Sequence, residues 1–555
     1  MDPRPAPSTA REPGPRWGTR LGVILAVAGS AVGLGNFLRF PGNAAANGGG
    51  AFMIPYFISF LLLGVPIGWA EWTMGRHGGS KGFHSAPAII GVWGRGRVAR
   101  YLGVFGVLVP LVVYFYYVVI ESWCLRYAWA YATGGIGVRA GEAVTAQVDA
   151  SRAFFAQATS SGADGAALGA HGGQGLVFWA LTFALNAWFV WRGLSRGIER
   201  FCTWALPAMA VCALVVLARV LTLPPDPANP AAQNVLAGLD FMWNPDFSAL
   251  GNPRTWLAAA GQIFFSLGVG FGIIINYASY LRRRDDVVLA GLTASATNEL
   301  FEVAFGGMIT LTASVVFLGV AATQANSGGT FSTGFYALPV VFARMPAGPF
   351  FGAVWFFMLF LAAITSSLAM LQPAKAFLAE ALGLRDGAAN AAAGLVCLAG
   401  NALVLWYSRD LVFLDTLDFW VGTFLIFVVA GVQIVCFAWV TGLERGLREA
   451  HAGAALRIPR VFAFVMKWVS PLYLVVIFGL FCWFNVPGYV RTVTGRAGSP
   501  PDRHALLAWA LILATLLLLA VATAVGEKRW RAQGRDLDGR LPPGADDDPD
   551  TGGRS

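Results

Sequence analysis

"GSAVGLGNFLRFP", residues 29–41, lies inside the first long apolar run of the chain, yet by composition it is a poor helix. It carries Gly29, Ser30, Gly33, Gly35, Asn36 and Arg39, and it ends on Pro41. A glycine inside a helix costs about 1 kcal/mol relative to alanine, and a polar side chain in hydrocarbon costs more. Irregular backbone survives at membrane depth only where protein or a water-filled cavity surrounds it. Unwinding at Gly33 and Gly35 would free carbonyl oxygens, which bind hard cations, and amide N–H groups, which bind anions at the start of a half-helix. A tight helix–helix contact through small residues explains the glycines equally well. It does not explain Asn36 and Arg39 beside them.

The rest of the chain fixes the environment. Of 555 residues, 56% are hydrophobic and only 12% charged, about half the charge content of a soluble domain. The 67 glycines and 20 tryptophans agree, because membrane helices tolerate glycine and tryptophan gathers at headgroup depth. About twelve runs are long and apolar enough to span a bilayer: 20–45, 51–75, 101–128, 175–192, 203–223, 255–281, 287–320, 349–381, 389–407, 411–441, 461–486 and 505–526. The formal charge of +9 is a topology signal. With an inside N-terminus, the inside loops collect Arg76, Lys81, Arg95, Arg97, Arg100, Arg192, Arg196, Arg200, Arg282–Arg284 and the run from Arg445 to Lys467. Both termini are then cytoplasmic in a multi-pass protein of the cell (inner) membrane, lipid is a partner, and nucleic acid is not.

Residues 1–16 read as a cytoplasmic tail without a cleavable apolar core, and 527–555, charged and rich in Pro and Gly, as a disordered cytoplasmic tail. Six cysteines without a C-x-x-C pair read as small buried hydrophobes. Three outside connections, 129–174, 224–254 and 321–348, are long and irregular; in the last, "SGGTFSTGFYALP" contains an apolar patch able to fold back as a lid. No Ser/His/Asp set, H-E-x-x-H or phosphate loop points to an enzyme.

A second interrupted span supports the first. "GQIFFSLGVGFGIIINYASY", 261–280, places Gly268, Gly270 and Gly272 in mid-span beside Gln262 and Ser266. It is the sixth span. Two broken spans in corresponding positions of two five-helix halves are the mark of a transporter site at the midplane. Asn298 and Glu302, four apart, share a face of span seven, and Ala362, Thr365, Ser366 and Met370 share one of span eight. An intramembrane carboxylate is a functional candidate by default, though a structural hydrogen-bonded Glu302 stays open.

"WGTRLGVILAVAGSAVGLGNFLRFP", "YFYYVVIESW", "GQIFFSLGVGFGIIINYASY", "ATNELFEV", "ITSSLAMLQP" and "DTLDFW", in this order, resemble the neurotransmitter:sodium symporter family, closest to bacterial amino-acid transporters of the leucine-transporter type. The resemblance implies an all-α membrane protein of about 12 transmembrane helices. Residues 17–442 form a 5+5 inverted-repeat core with helices 1 and 6 broken, followed by helices 11–12 in 443–526. It implies two Na⁺ sites. The first takes the carbonyl of Ala31, Asn36, Ser266, Asn298 and the substrate's carboxylate. The second takes the carbonyls of Gly29, Val32 and Ala362 with the hydroxyls of Thr365 and Ser366. Substrate would meet Ser30, Ala31, Leu34, Gly35, Tyr117, Phe265 and Ser266, with a side-chain pocket of Val113, Phe265, Gly268, Phe271, Ser366 and Met370.

Gly33 stands where monoamine carriers have Asp, which implies a substrate bringing its own carboxylate: a neutral, hydrophobic or aromatic amino acid. Glu302 stands where chloride-dependent relatives have a small hydroxyl residue, which implies chloride-independent transport. Arg39 and Asp418, with Gln262 beneath, would form the outer gate; Trp17, Tyr280 and Glu380 the inner one. The arginine expected opposite Glu380 falls on Gly14, so Arg16 or Arg11 would substitute. A channel or receptor-like protein of the same fold, or a proton-coupled amino-acid carrier, would show different ion dependence; a homodimer is left open.

Overall fold

The computed structural model describes residues 17–139, 141–169, 173–224, 233–325, 327, 332–495 and 500–539. The secondary structure among them is helical. Among the described residues, ten helices are long and apolar enough to cross a membrane, one bent pair passes with them as a broken span, and a second interrupted pair lies between the fifth and seventh spans. In chain order these are α1 (Leu21–Ala31 with Gly35–Ala46), α2 (Gly50–Ser80), α3 (Arg97–Thr133), α4 (Gly173–Trp191), α5 (Leu194–Leu221) and α6 (Pro253–Leu267 with Ile273–Ala278). Then follow α7 (Val287–Leu318), α8 (Gly348–Leu382), α9 (Asp386–Trp406), α10 (Arg409–Val440), α11 (Arg460–Phe484) and α12 (Arg503–Ala532). The expected twelve-span, five-plus-five architecture is present.

The two halves of α1 meet at a 45° bend. In α6 the helix stops at Leu267 and restarts at Ile273. Gly268, Gly270 and Gly272 all sit at positive φ (66°, 81° and 79°). At Gly272 a Cβ would lie 2.0 Å from the Gly106 carbonyl oxygen, so only glycine lets α6 approach α3 here. The loose ends are caught by a carboxylate: the Gly270 N–H donates to Glu71 on α2 over 3.1 Å. Two buried spans, α3 and α8, form the centre, whereas much of α4, α9, α11 and α12 faces outward with exposed Leu, Val and Trp, as lipid-facing helices should.

The basic connections gather on one face. Glu199, at the start of α5, accepts from the Gly18 and Thr19 amides at 2.8 and 3.0 Å. Arg76 donates to the carbonyls of Asp285, Glu449 and Ala452. The opposite face gathers the long connections: Arg126 donates to Gln157 and Ala158 carbonyls, and Ser408 to that of Ser160. These connections are less irregular than expected, since Val144–Thr159, Val235–Trp243 and Leu338–Arg344 are helical. The apolar patch of the third does fold back: Phe335 is buried against Tyr127, Phe155 and Phe356.

One expectation needs correction. The disordered tail placed at 527–555 begins inside a helix, because α12 runs to Ala532 and the chain stays packed through Gly539. Its charges are partnered: Lys81 meets Asp536 at 2.5 Å, and the fully buried Arg100 meets Glu527 at 3.1 Å and Asp538 at 2.9 Å. An uncompensated guanidinium could not stay buried there, so these acids hold the segment in place. Residues 540–555 lie outside the described residues. Six cysteines are unpaired, and four of them are buried.

Candidate functional site

Where the two breaks face each other, side chains from α1, α6 and α7 form one hydrogen-bonded chain. The Gly33 N–H donates to Asn36 Oδ1 at 2.9 Å, which fixes the break of α1. Asn36 Nδ2 donates to Asn298 Oδ1 at 2.9 Å, and Asn298 Nδ2 to Ser266 Oγ at 2.7 Å. Ser266 in turn donates to the Glu302 carboxylate, whose other oxygen accepts from Gln262 at 2.5 Å. Asn298 also donates to Glu302 at 3.3 Å. A π-helical stretch, Leu300–Gly307, carries Glu302 while keeping it near Asn298 one turn back. Asn36, Asn298 and Glu302 are fully buried. The three residues expected to bring side-chain oxygens to the first ion are therefore together, directly above a carboxylate.

The second cluster lies where the first half of α1 ends against α8. Gly29 faces Thr365, for a Cβ there would stand 3.6 Å from the threonine Cβ. Thr365 donates to the carbonyls of Leu361 and Ala362, and Ser366 to those of Ala362 and Ser30, at 3.0 to 3.1 Å. Val32 leaves helical geometry (ψ 93°), so its carbonyl is turned away from the α1 ladder. This donor set is all oxygen and uncharged, the chemistry an alkali cation takes.

Between the clusters is a cavity lined by ten of the residues named for substrate, Ser30, Ala31, Gly35, Tyr117, Phe265, Ser266, Gly268, Phe271, Ser366 and Met370, and also by Gly33, Leu267, Ile273 and Ile274. Tyr117 Oη accepts from the Leu34 N–H at 3.1 Å. Leu34 lines the adjoining outer cavity, and Val113 is fully buried in α3 one turn from Tyr117, which lines this one. Gly33 has no room to grow: a Cβ would stand 2.7 Å from Ser366 Oγ and 2.8 Å from Tyr117 Oη.

The outer cavity holds Arg39, Asp415 and Asp418 over Phe265, Tyr116 and Tyr117. Arg39 stacks 4.5 Å above the Phe265 ring, and Asp418 accepts from Tyr116 at 2.6 Å. Gln262 is committed below, to Glu302, the Gly35 carbonyl and Asn43. On the basic face, Trp17 donates from its indole to the Tyr277 carbonyl at 3.0 Å, and Tyr280 stacks on His84 at 4.4 Å. Glu380 accepts from the His84 amide at 3.0 Å. Arg16 and Arg11 lie outside the described residues; the described guanidinium facing Glu380 is that of Arg535, at 3.8 Å.

His84 yields a prediction. Its imidazole is pushed down to about 4 by burial and then by the Arg535 charge. The folded state thus binds fewer protons than the unfolded state between about pH 6.5 and about 4. Stability from this group is complete above pH 6.5 and falls as acid is added, by up to about 3 kcal/mol. His84→Gln should flatten the thermal-stability profile in that window, as read by melting in detergent; an unchanged acid slope would contradict this.

Several participants were missed from sequence. Glu71 braces Gly270, and Glu121 accepts from Asn186 at 3.0 Å and Ser367 at 2.7 Å, immediately behind Thr365 and Ser366. The signal was available, since a carboxylate within an apolar run had singled out Glu302.

The chain is similar to known proteins in sequence and in fold. A sequence profile of the Sodium:neurotransmitter symporter family matches residues 14–139 and 131–529. An uncharacterized sodium-dependent transporter of Methanocaldococcus jannaschii is 29% identical over 82% of this chain and 88% of its own length. A sodium-dependent nutrient amino acid transporter 1 of Drosophila virilis is 26% identical over 83% of this chain and 76% of its own. The crystal structure of MhsT in complex with L-phenylalanine superposes with a TM-score of 0.69 at 26% identity, covering 83% of this chain and 98% of that one. The profile spans nearly all twelve helices, both breaks and the residues that join them, and the chain belongs to the sodium:neurotransmitter symporter family.

Proposed function

We propose that the chain is a sodium-coupled symporter that imports a neutral, hydrophobic or aromatic amino acid by alternating access, independently of chloride. The observation that carries this reading is the hydrogen-bonded chain Asn36–Asn298–Ser266–Glu302 lying between two helix breaks. One sodium ion would be held by Asn36, Ser266, Asn298 and the Ala31 carbonyl, completed by the substrate's carboxylate. Ion and amino acid then each finish the other's site, which is the coupling. A second would use the carbonyls of Gly29, Val32 and Ala362 with Thr365 and Ser366. The Leu34 and Gly35 amides and the Tyr117 hydroxyl suit the carboxylate, because N–H groups at a half-helix start attract anions.

The Glu302 carboxylate meets the first cluster through Ser266 and Asn298; ionised beside a bound cation, it would balance that charge in place of an external anion. Phe271, Met370, Ile273 and Ile274 give the cavity an apolar wall, which favours an apolar side chain, and the crowding at Gly33 disfavours a protein carboxylate in place of the substrate's own. Arg39 and Asp418 would close one side; Trp17, Tyr280 and Glu380 the other. The basic face is assigned to the cytoplasm, with both termini, in the cell membrane.

The test is uptake into proteoliposomes with the twenty amino acids as competitors. An inward sodium gradient should drive accumulation of an apolar amino acid; choline in place of sodium should abolish it, and gluconate in place of chloride should not. Sodium flux without solute accumulation, or uptake driven by a pH gradient in choline, would contradict the reading.

A further inference from the structure

The turn between α4 and α5 carries a feature that sodium and amino acid do not use. Arg192, Arg196 and Arg200 recur at four-residue spacing, and all three are exposed. With Trp188, Phe189, Phe201 and Trp204 they line a single open pocket at the end of the two helices. Arg192 lies 5.0 Å from the Trp188 ring centroid, a cation–π contact that holds one wall. Among the described residues, none of the three guanidinia has a carboxylate partner. The nearest acid in sequence, Glu199, is buried and turned toward Gly18 and Thr19. Three like charges therefore share one concave site without a counter-charge from the protein.

The surroundings identify the missing anion. Trp191 is 64% and Trp204 58% exposed, and the exposed Leu181, Val211 and Leu214 continue this apolar surface along α4 and α5. The pocket thus lies where a lipid-facing surface ends in a ring of tryptophan, the depth of the headgroups. We propose that Arg192, Arg196 and Arg200 bind the phosphate headgroup of an anionic membrane lipid whose acyl chain lies along Trp188 and Trp204. Guanidinium matches phosphate oxygens with paired N–H donors, and an anionic headgroup adds a net negative charge, whereas the ammonium of a zwitterionic one would be repelled by the three guanidinia. The inference rests on the membrane fold and not on the identity of the transported solute.

Native mass spectrometry of the full-length protein with phosphatidylglycerol, phosphatidylcholine or inorganic phosphate tests it. Each arginine near an anionic headgroup is expected to contribute about fivefold in affinity. R192Q/R196Q/R200Q should therefore bind phosphatidylglycerol roughly a hundredfold more weakly at this site, while the corresponding triple lysine variant retains most binding. Wild type should retain phosphatidylglycerol in preference to phosphatidylcholine, and inorganic phosphate should not displace it. Single R196Q, which leaves two guanidinia, should show an intermediate loss. Equal phosphatidylglycerol retention by wild type and the triple glutamine variant would overturn the proposal, as would displacement by inorganic phosphate. Sodium-driven uptake, measured separately, reports on the transport reading, so the two can fail independently.

Discussion

Glu302→Ser is expected to lose uptake by about a hundredfold in chloride-free medium and to recover much of it when chloride is restored. Three donors, from Gln262, Ser266 and Asn298, converge on the Glu302 carboxylate in a fully buried site. Leaving a buried donor without its acceptor costs about 1–3 kcal/mol, more when the acceptor is charged, so removal of the carboxylate should be felt well beyond the residue itself. Serine adds a hydroxyl but no charge. The same converging donors would then suit a monovalent anion, and chloride from solution becomes a required ligand. The measurement is uptake in paired chloride and gluconate buffers, for wild type and variant. A variant equally active in both would show that Glu302 is only a structural hydrogen-bond partner.

Gly272→Ala should damage the protein far more than Gly268→Ala, although both glycines have positive φ. At either position the left-handed conformation costs alanine roughly 1–2 kcal/mol. At Gly268 a Cβ meets nothing within 4 Å, so strain is the whole penalty. At Gly272 the Cβ would also overlap the Gly106 carbonyl oxygen at 2.0 Å, and overpacking adds about 1–3 kcal/mol. The sum, about 2–5 kcal/mol, should lower the melting temperature of Gly272→Ala clearly below that of Gly268→Ala. Melting curves of the two purified variants check the difference. Equal melting temperatures would mean that α6 can reseat without its close contact to α3.

Much of this was legible in the sequence, for identifiable reasons. Apolar run length marks spans because a bilayer has a fixed thickness, and most expected limits lie near the helix ends, although α5 starts at Leu194 rather than 203 and α12 runs on to Ala532 rather than 526. The breaks were legible because clustered glycine in hydrocarbon has few explanations. What joins the breaks was less so. Asn36, Ser266 and Asn298 were placed together by resemblance, since nothing in local pattern says that Asn36 meets Asn298, 262 residues later. Glu71 and Glu121 were legible as carboxylates in apolar runs, but their partners, Gly270 and Ser367, were not. The C-terminal segment was misread because its charges look solvated until Lys81 and Arg100, more than 400 residues earlier, are brought against them. Val113 and Tyr117 were both named by resemblance, and of the two it is Tyr117 that lines the cavity.

The proposed coupling depends on two interrupted helices whose freed peptide oxygens and amides would meet an ion and the substrate's carboxylate at once. Equilibrium binding of the transported amino acid and of its methyl ester to the purified protein, each in sodium and in potassium, tests this most directly. The free amino acid should bind tightly in sodium and weakly in potassium, while the ester, whose carboxylate is capped, should bind weakly in both. Sodium-dependent binding of the ester with the affinity of the free amino acid would contradict a shared carboxylate.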